Sequence, residues 1–121
     1  MRNTLKRKAA MGLAAVAMAA GGVVFSGGSA SAEPLCNYIS DSSRPTIYPT
    51  NVSSAVKQIQ CLINNYSNYP YWLDVDGEYG PATKDAVGYV QSCNRTSGGV
   101  DYIVGSSTWN ALYNPIAACR L

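Results

Sequence analysis

From Ser54 the chain repeats apolar side chains at three- and four-residue intervals, Ala55, Val56, Ile59, Leu62, Ile63 and Tyr66, with Lys57, Gln58, Gln60 and Asn64 between them. That period predicts an amphipathic helix, and Ser53 or Ser54 supplies the hydroxyl that caps its first turn. A polar and aromatic run follows over 64–72, interrupted by Pro70. Asp76-Gly77 then marks a tight turn, and Gly80-Pro81 sets up a second helix with proline at its first position. This helix is predicted from residue 81 to about 93, with Ala82, Ala86, Val87, Val90 and Cys93 on one broad apolar face. Ser97-Gly98-Gly99 ends the unit, and residues 106–113 form a short third helix presenting Trp109, Leu112 and Tyr113. Upstream, Pro34, Pro45 and Pro49 together with Asp41, Ser42 and Ser43 exclude a continuous helix over 33–51, so an extended arm is expected there.

The stretch 1–32 has a different character. A basic segment (Arg2, Lys6, Arg7, Lys8) leads into a small, apolar run over 9–25, then Gly27, Gly28 and Ser29, and then Ala30-Ser31-Ala32, the small-x-small form that signal peptidase accepts. Cleavage after Ala32 is expected, leaving an exported protein that the membrane no longer holds. The apolar run sits at the lower limit of roughly 17–25 residues for a membrane-spanning helix, and its Ala/Gly richness favours removal.

At 121 residues the chain has the length of about one domain. It contains no His, which excludes Ser-His and Cys-His nucleophile pairs and imidazole-ligated zinc. The formal charge of +2 is set by the leader: removing its four cations from the 9 Lys and Arg leaves 5 basic against 7 acidic residues, a net of −2. Five scattered cations do not make a phosphate-neutralising face, so no nucleic-acid partner is expected. All four cysteines, Cys36, Cys61, Cys93 and Cys119, lie beyond the leader, and an even number in a small exported domain predicts two disulfides. Without C-x2-C spacing they do not form a metal site. Three pairings are open; the nested one, Cys61 to Cys93 and Cys36 to Cys119, would join two helices and clasp the chain ends.

When the chain is laid on itself so that Asp76 falls on Asp101, Gly80 falls on Gly105, Thr83 on Thr108 and Ala86 on Ala111. The second and third helices therefore begin by one design, in which Asp opens a turn and Thr lies in the first helical turn. Asp76, Gly77, Gly80, Asp101 and Gly105 are assigned to these turns. The series Val56-Lys57-Gln58-Ile59-Gln60, Leu62-Ile63-Asn64, Val75-Asp76-Gly77-Glu78-Tyr79-Gly80-Pro81-Ala82-Thr83, Ala86-Val87, Gln91, Val100-Asp101, Val104-Gly105 and Thr108-Trp109-Asn110-Ala111-Leu112 resembles the peptidoglycan-binding-like domain, a small three-helix module often attached to bacterial wall hydrolases. The resemblance covers about residues 53–113. It implies an all-α, compact three-helix bundle that attaches to cell-wall glycan or peptide without cutting it. Tyr102 stands where the family usually has Gly and Ser106 where it often has Pro, which implies a second turn of different shape.

Candidate chemistry follows the aromatics, nine Tyr and two Trp, all beyond the leader. Tyr69, Tyr71, Trp72 and Tyr102 lie in loops, where aromatic faces stack on sugar rings and phenols exchange hydrogen bonds. Trp109, Tyr79 and Tyr66 lie at apolar positions and are assigned to the core. Arg95 offers a guanidinium to a peptide carboxylate. Asp74, Asp76 and Glu78 crowd one turn and do not face each other across a substrate, which argues against a glycoside hydrolase. With Asp85 they echo a calcium loop, but Tyr79 occupies its required glycine. The expectation is a leader (1–32), an extended arm (33–52) and a peptidoglycan-binding-like domain (53–121), stapled by two disulfides. Such a protein would be secreted, monomeric and free of metal or cofactor, and would bind peptidoglycan at the cell wall. A secreted protease inhibitor, or another protein-interaction module on the same fold, is the alternative.

Overall fold

The computed structural model describes residues 35–121. The predicted leader, with Glu33 and Pro34 of the arm, lies outside the described residues. The fold is all-α: α1 (Ser54–Tyr66), α2 (Pro81–Asn94) and α3 (Ser106–Tyr113), followed by a single 3-10 turn at Ala117–Cys119. Ser53 caps α1, its hydroxyl accepting from Val56 N at 3.3 Å. Pro81 opens α2, which runs one residue past the expected end and stops where Arg95 turns left-handed (φ 55°).

The apolar stripes of the three helices meet in one core. Val56, Ile59, Leu62 and Ile63 from α1, Ala86, Val87 and Val90 from α2, and Trp109 and Leu112 from α3 are all buried. The arm belongs to this core as well. Ile47 is buried and pairs antiparallel with Val104, while the Trp109 indole donates to Pro45 O at 2.7 Å. A few residues on, Thr50 N donates to Tyr79 O and Tyr79 N to Asn51 O, both at 2.9 Å, so the arm runs along both turns.

Those turns are built alike, each around a buried glutamine. Gln60 Nε2 donates to Asp76 Oδ1 (3.0 Å), Glu78 O (3.1 Å) and Thr83 Oγ1 (3.0 Å), and its Oε1 accepts from Gly77 N (2.9 Å). Gln91 Nε2 donates to Asp101 Oδ1 (2.9 Å), Ile103 O (2.9 Å) and Thr108 Oγ1 (3.1 Å), and its Oε1 accepts from Tyr102 N (2.9 Å). Both glutamines are 1% exposed, and a buried amide with its hydrogen-bonding capacity this fully used holds a loop where an apolar residue would not. Asp76 lies further along the chain from Gln60 than Asp101 does from Gln91, a sequence separation of 16 against 10, so the first half-unit is the longer one.

The second turn does not differ in shape as expected. Tyr102 takes φ 66° where Gly77 takes φ 78°, so a tyrosine occupies the left-handed conformation that glycine adopts in the first turn.

The disulfides are sequential, Cys36–Cys61 and Cys93–Cys119, and not nested. Side-chain direction explains this. On α1 the stripe Gln58, Cys61, Asn65 faces the arm: Gln58 Nε2 reaches Cys36 O at 3.2 Å, while Gln60, about 100° around the helix from Cys61, faces α2. On α2, Gln91 faces the first turn of α3, which leaves Cys93 about 200° away towards the C-terminal tail. Each bridge thus pins one flank of the chain, the arm at Cys36 and the 3-10 turn at Cys119, to an α-helix. With separations of 25 and 26 residues, each restricts the unfolded chain by about 3 to 4 kcal/mol in the loop-entropy account.

Candidate functional site: an aromatic shelf beside α2

Half of the extra length of the first half-unit lies in α1, which runs six residues past Gln60 against three for α2 past Gln91, and half in the stretch between α1 and the first turn, where most of the candidate aromatics lie. Two anchors fix this loop. Asn64, buried at the end of α1, donates to Leu73 O (2.9 Å) and accepts from Leu73 N (2.7 Å), closing the loop at its base. The C-terminal tail supports its start, with Asn68 N donating to Cys119 O (3.0 Å), Asn68 Nδ2 to Ala118 O (3.0 Å) and Leu121 N to Tyr66 O (2.8 Å). The Cys93–Cys119 bridge ties that tail to α2.

Between the anchors the rings assemble. Tyr69 meets Tyr71 edge-on at 5.7 Å between centroids and Tyr89 of α2 at 5.5 Å, and the Tyr89 hydroxyl donates to Asn68 Oδ1 at 2.6 Å. Tyr69 is only 8% exposed, so it braces its neighbours and is not the open face expected of it. Tyr71 is half-buried, and Trp72, 42% exposed, is the most open ring of the loop. Burial, with the charges of Asp85 and Tyr71 adding to it, raises the Tyr69 phenol above its ordinary value. It is a neutral hydrogen-bonding group across the physiological range.

Tyr102 approaches α2 from the second turn. Its ring lies on Gly88, where a Cβ would fall 2.7 Å from the ring edge, and the Lys84 ammonium stands 4.8 Å from its centroid. The Tyr79 hydroxyl donates to Tyr102 O and fixes the backbone beneath the ring; burial first, then Asp101 and Tyr102, pushes this phenol up too. Gly88 and Tyr89 are adjacent in α2, so Tyr102 and the Tyr69–Tyr71–Tyr89 group border the same stretch of helix. Arg95 sits apart, seven residues beyond Gly88 and about 10 Å further along the axis.

The sequence did not single out Tyr89, Asn68 or Lys84. Tyr89 and Lys84 lie between the apolar positions of α2 with Asp85, where periodicity reads them only as solvent-facing. Within the acidic run, Asp76 Oδ1 accepts from both Gln60 Nε2 and Glu78 N and belongs to the turn. Among the described residues no group of three or more Cys, Asp or Glu side chains is arranged to hold a metal ion, and no helix is long and apolar enough to cross a membrane.

A family profile described as "Putative peptidoglycan binding domain" matches residues 52–112. The matched stretch takes in α1, the aromatic loop, both glutamine-held turns, α2 and most of α3, and leaves most of the arm outside. An uncharacterized protein of Kitasatospora aureofaciens is 41% identical over 108 residues, covering 83% of this chain and 88% of that protein. The zinc D-Ala-D-Ala carboxypeptidase of Streptomyces albus G is 35% identical over 68 residues, 56% of this chain and 26% of that protein, so the chain spans about a quarter of that relative. No solved structure matches the chain.

Proposed function

The chain belongs to the peptidoglycan-binding family, and from that premise we propose that it is an exported, non-catalytic bacterial cell-wall protein that adsorbs to peptidoglycan through the shelf beside α2. The observation that carries this reading is the family match across 52–112, which includes the whole aromatic loop. Trp72 and Tyr71 stack on sugar rings, Tyr69 braces them, and Tyr102 extends the surface across Gly88. Arg95, at the far end of α2, takes a carboxylate of a stem peptide.

No bond is made or broken, and the Asp76 carboxylate is committed to its turn. Removal of the leader after Ala32 delivers the protein to an oxidising compartment, with which two disulfides are consistent. The carboxypeptidase among the relatives acts on D-Ala-D-Ala by its name, and this chain spans a quarter of that protein's length. A single shallow site holds a sugar weakly, and the repetitive wall multiplies it when several molecules engage together.

Co-sedimentation of the oxidised protein with purified insoluble peptidoglycan tests the reading, with wall turbidity followed in parallel and a reduced, alkylated sample as the unfolded control. Retention of the oxidised form alone, on intact walls, is expected. The Tyr71→Ala/Trp72→Ala double variant should lose roughly tenfold in adsorption, the effect of two aromatic contacts, with an unchanged helical circular dichroism spectrum. Unaltered adsorption of that variant removes the shelf from the site. Failure of the parent protein to sediment leaves the family fold without its ligand and turns attention to protein partners, proteases among them.

A further inference from the structure

A second recess lies where the arm crosses α1 and α3. It has a volume of about 440 Å³, within the range of roughly 300–1,000 Å³ typical of small-molecule sites. Cys36, Asn37, Ile39, Ser40 and Asp41 of the arm form one wall, and Leu62, Tyr66 and Tyr113 the other. The arm residues fall outside the family match at 52–112, so this recess is built by what the chain adds to the shared module.

The walls are fixed in advance. Gln58, 1% exposed, accepts from Tyr38 N at 2.8 Å and donates to Cys36 O at 3.2 Å and to the Tyr113 hydroxyl at 2.9 Å. The Tyr113 ring stacks on Trp109 at 6.0 Å and carries the Arg44 guanidinium 4.7 Å from its centroid. Arg44 Nε donates to Asp41 O at 2.9 Å, and the Cys36–Cys61 bridge holds the arm against α1. Rigidity of this kind lowers the ordering cost of binding.

The lining chemistry selects the ligand class. It contains no cationic side chain, which disfavours an anion, and a single carboxylate, Asp41, which is too few acidic ligands for a cation. Among the described residues the Asn37 amide, the Asp41 carboxylate and the Tyr66 hydroxyl make no hydrogen bond. A carboxylate and an amide pair with neighbouring hydroxyls, while two tyrosines with Leu62 and Ile39 give the apolar contact that a ring's C–H face requires. We propose that this arm recess is a binding site for a short neutral saccharide, separate from the shelf. The inference rests on the wall-binding reading and adds a second glycan contact to it.

The test is titration of the isotope-labelled, oxidised protein with N,N′-diacetylchitobiose, followed by amide chemical shifts, alongside the wall-sedimentation assay. Shift changes should centre on Cys36, Asn37, Asp41, Tyr66 and Tyr113. Asn37→Ala and Asp41→Ala, both at exposed positions, should each weaken chitobiose binding by roughly tenfold, the loss of a hydrogen bond or two, with the fold intact. Tyr71→Ala/Trp72→Ala should reduce wall sedimentation and abolish any shelf response to chitobiose, while the shifts of Cys36, Asn37, Asp41, Tyr66 and Tyr113 keep their titration midpoint. Shifts confined to the Tyr71–Trp72 loop, or affinity untouched by both arm variants, overturn the proposal. Sedimentation with walls but no chitobiose shifts overturns it while the wall-binding reading stands; loss of both overturns the two together.

Discussion

Two residues in equivalent turns, Gly77 and Tyr102, share a left-handed backbone but not a side chain. At Gly77 an added Cβ would stand 3.0 Å from Ser53 O, a backbone atom that cannot move aside, and the left-handed conformation itself costs a non-glycine residue about 1–2 kcal/mol. Gly77→Ala should therefore lower the unfolding free energy by about 2 kcal/mol in a urea titration; a change within a few tenths would show that the turn relaxes. Tyr102 bears the same backbone cost, offset by its ring on Gly88 and the Lys84 ammonium above it. The replacement of the family's glycine was visible in the sequence, its consequence was not. A missing glycine announces an altered turn only if nothing nearby compensates, and the compensating Gly88 sits well upstream, on the preceding helix.

Helices and turns are joined by Gln60 and Gln91. Replacing either by Ala leaves two backbone groups around Gln60 or three around Gln91, with a threonine hydroxyl and a carboxylate, short of their partner, a loss of about 3 kcal/mol. Thermal unfolding of Gln60→Ala and Gln91→Ala should fall by more than about 10 °C each; a smaller drop would mean that water replaces the amide at little cost. Period alone placed the helices, because Val56, Ile59, Leu62 and Ile63, like Ala86, Val87 and Val90, stay on one side of the helical turn. It did not find the glutamines. They lie among polar residues between apolar ones, and because the two half-units differ in length, the register that lays Asp76 on Asp101 does not lay Gln60 on Gln91. The cysteine pairing was equally out of reach, because it depends on which flank of each helix the thiol leaves from. At the shelf the loop aromatics were legible, but the helix residue that completes the cluster, Tyr89, was not.

For the molecule as a whole, the buried phenols set the alkaline limit. Tyr69 and Tyr79 titrate above their ordinary value near 10 in the folded state, so the unfolded chain releases those protons first as pH rises. Their contribution is fully present below about pH 10 and is lost above it. Tyrosinate absorbance should then show a late phase from Tyr69 and Tyr79 that develops only as helical circular dichroism disappears. Absence of a late phase, with the helices intact, would contradict the burial of Tyr69 and Tyr79. Tyr79→Phe should shorten the late phase. The difference in length between the half-units has a wider consequence. The second glutamine clasp closes over a shorter connection than the first, so the scaffold and the contact surface are separable inheritances. Length and composition between Asn64 and Leu73 are free to drift while the frame stays fixed. Grafting other loops between these two residues should retarget the module, much as a handle accepts different blades.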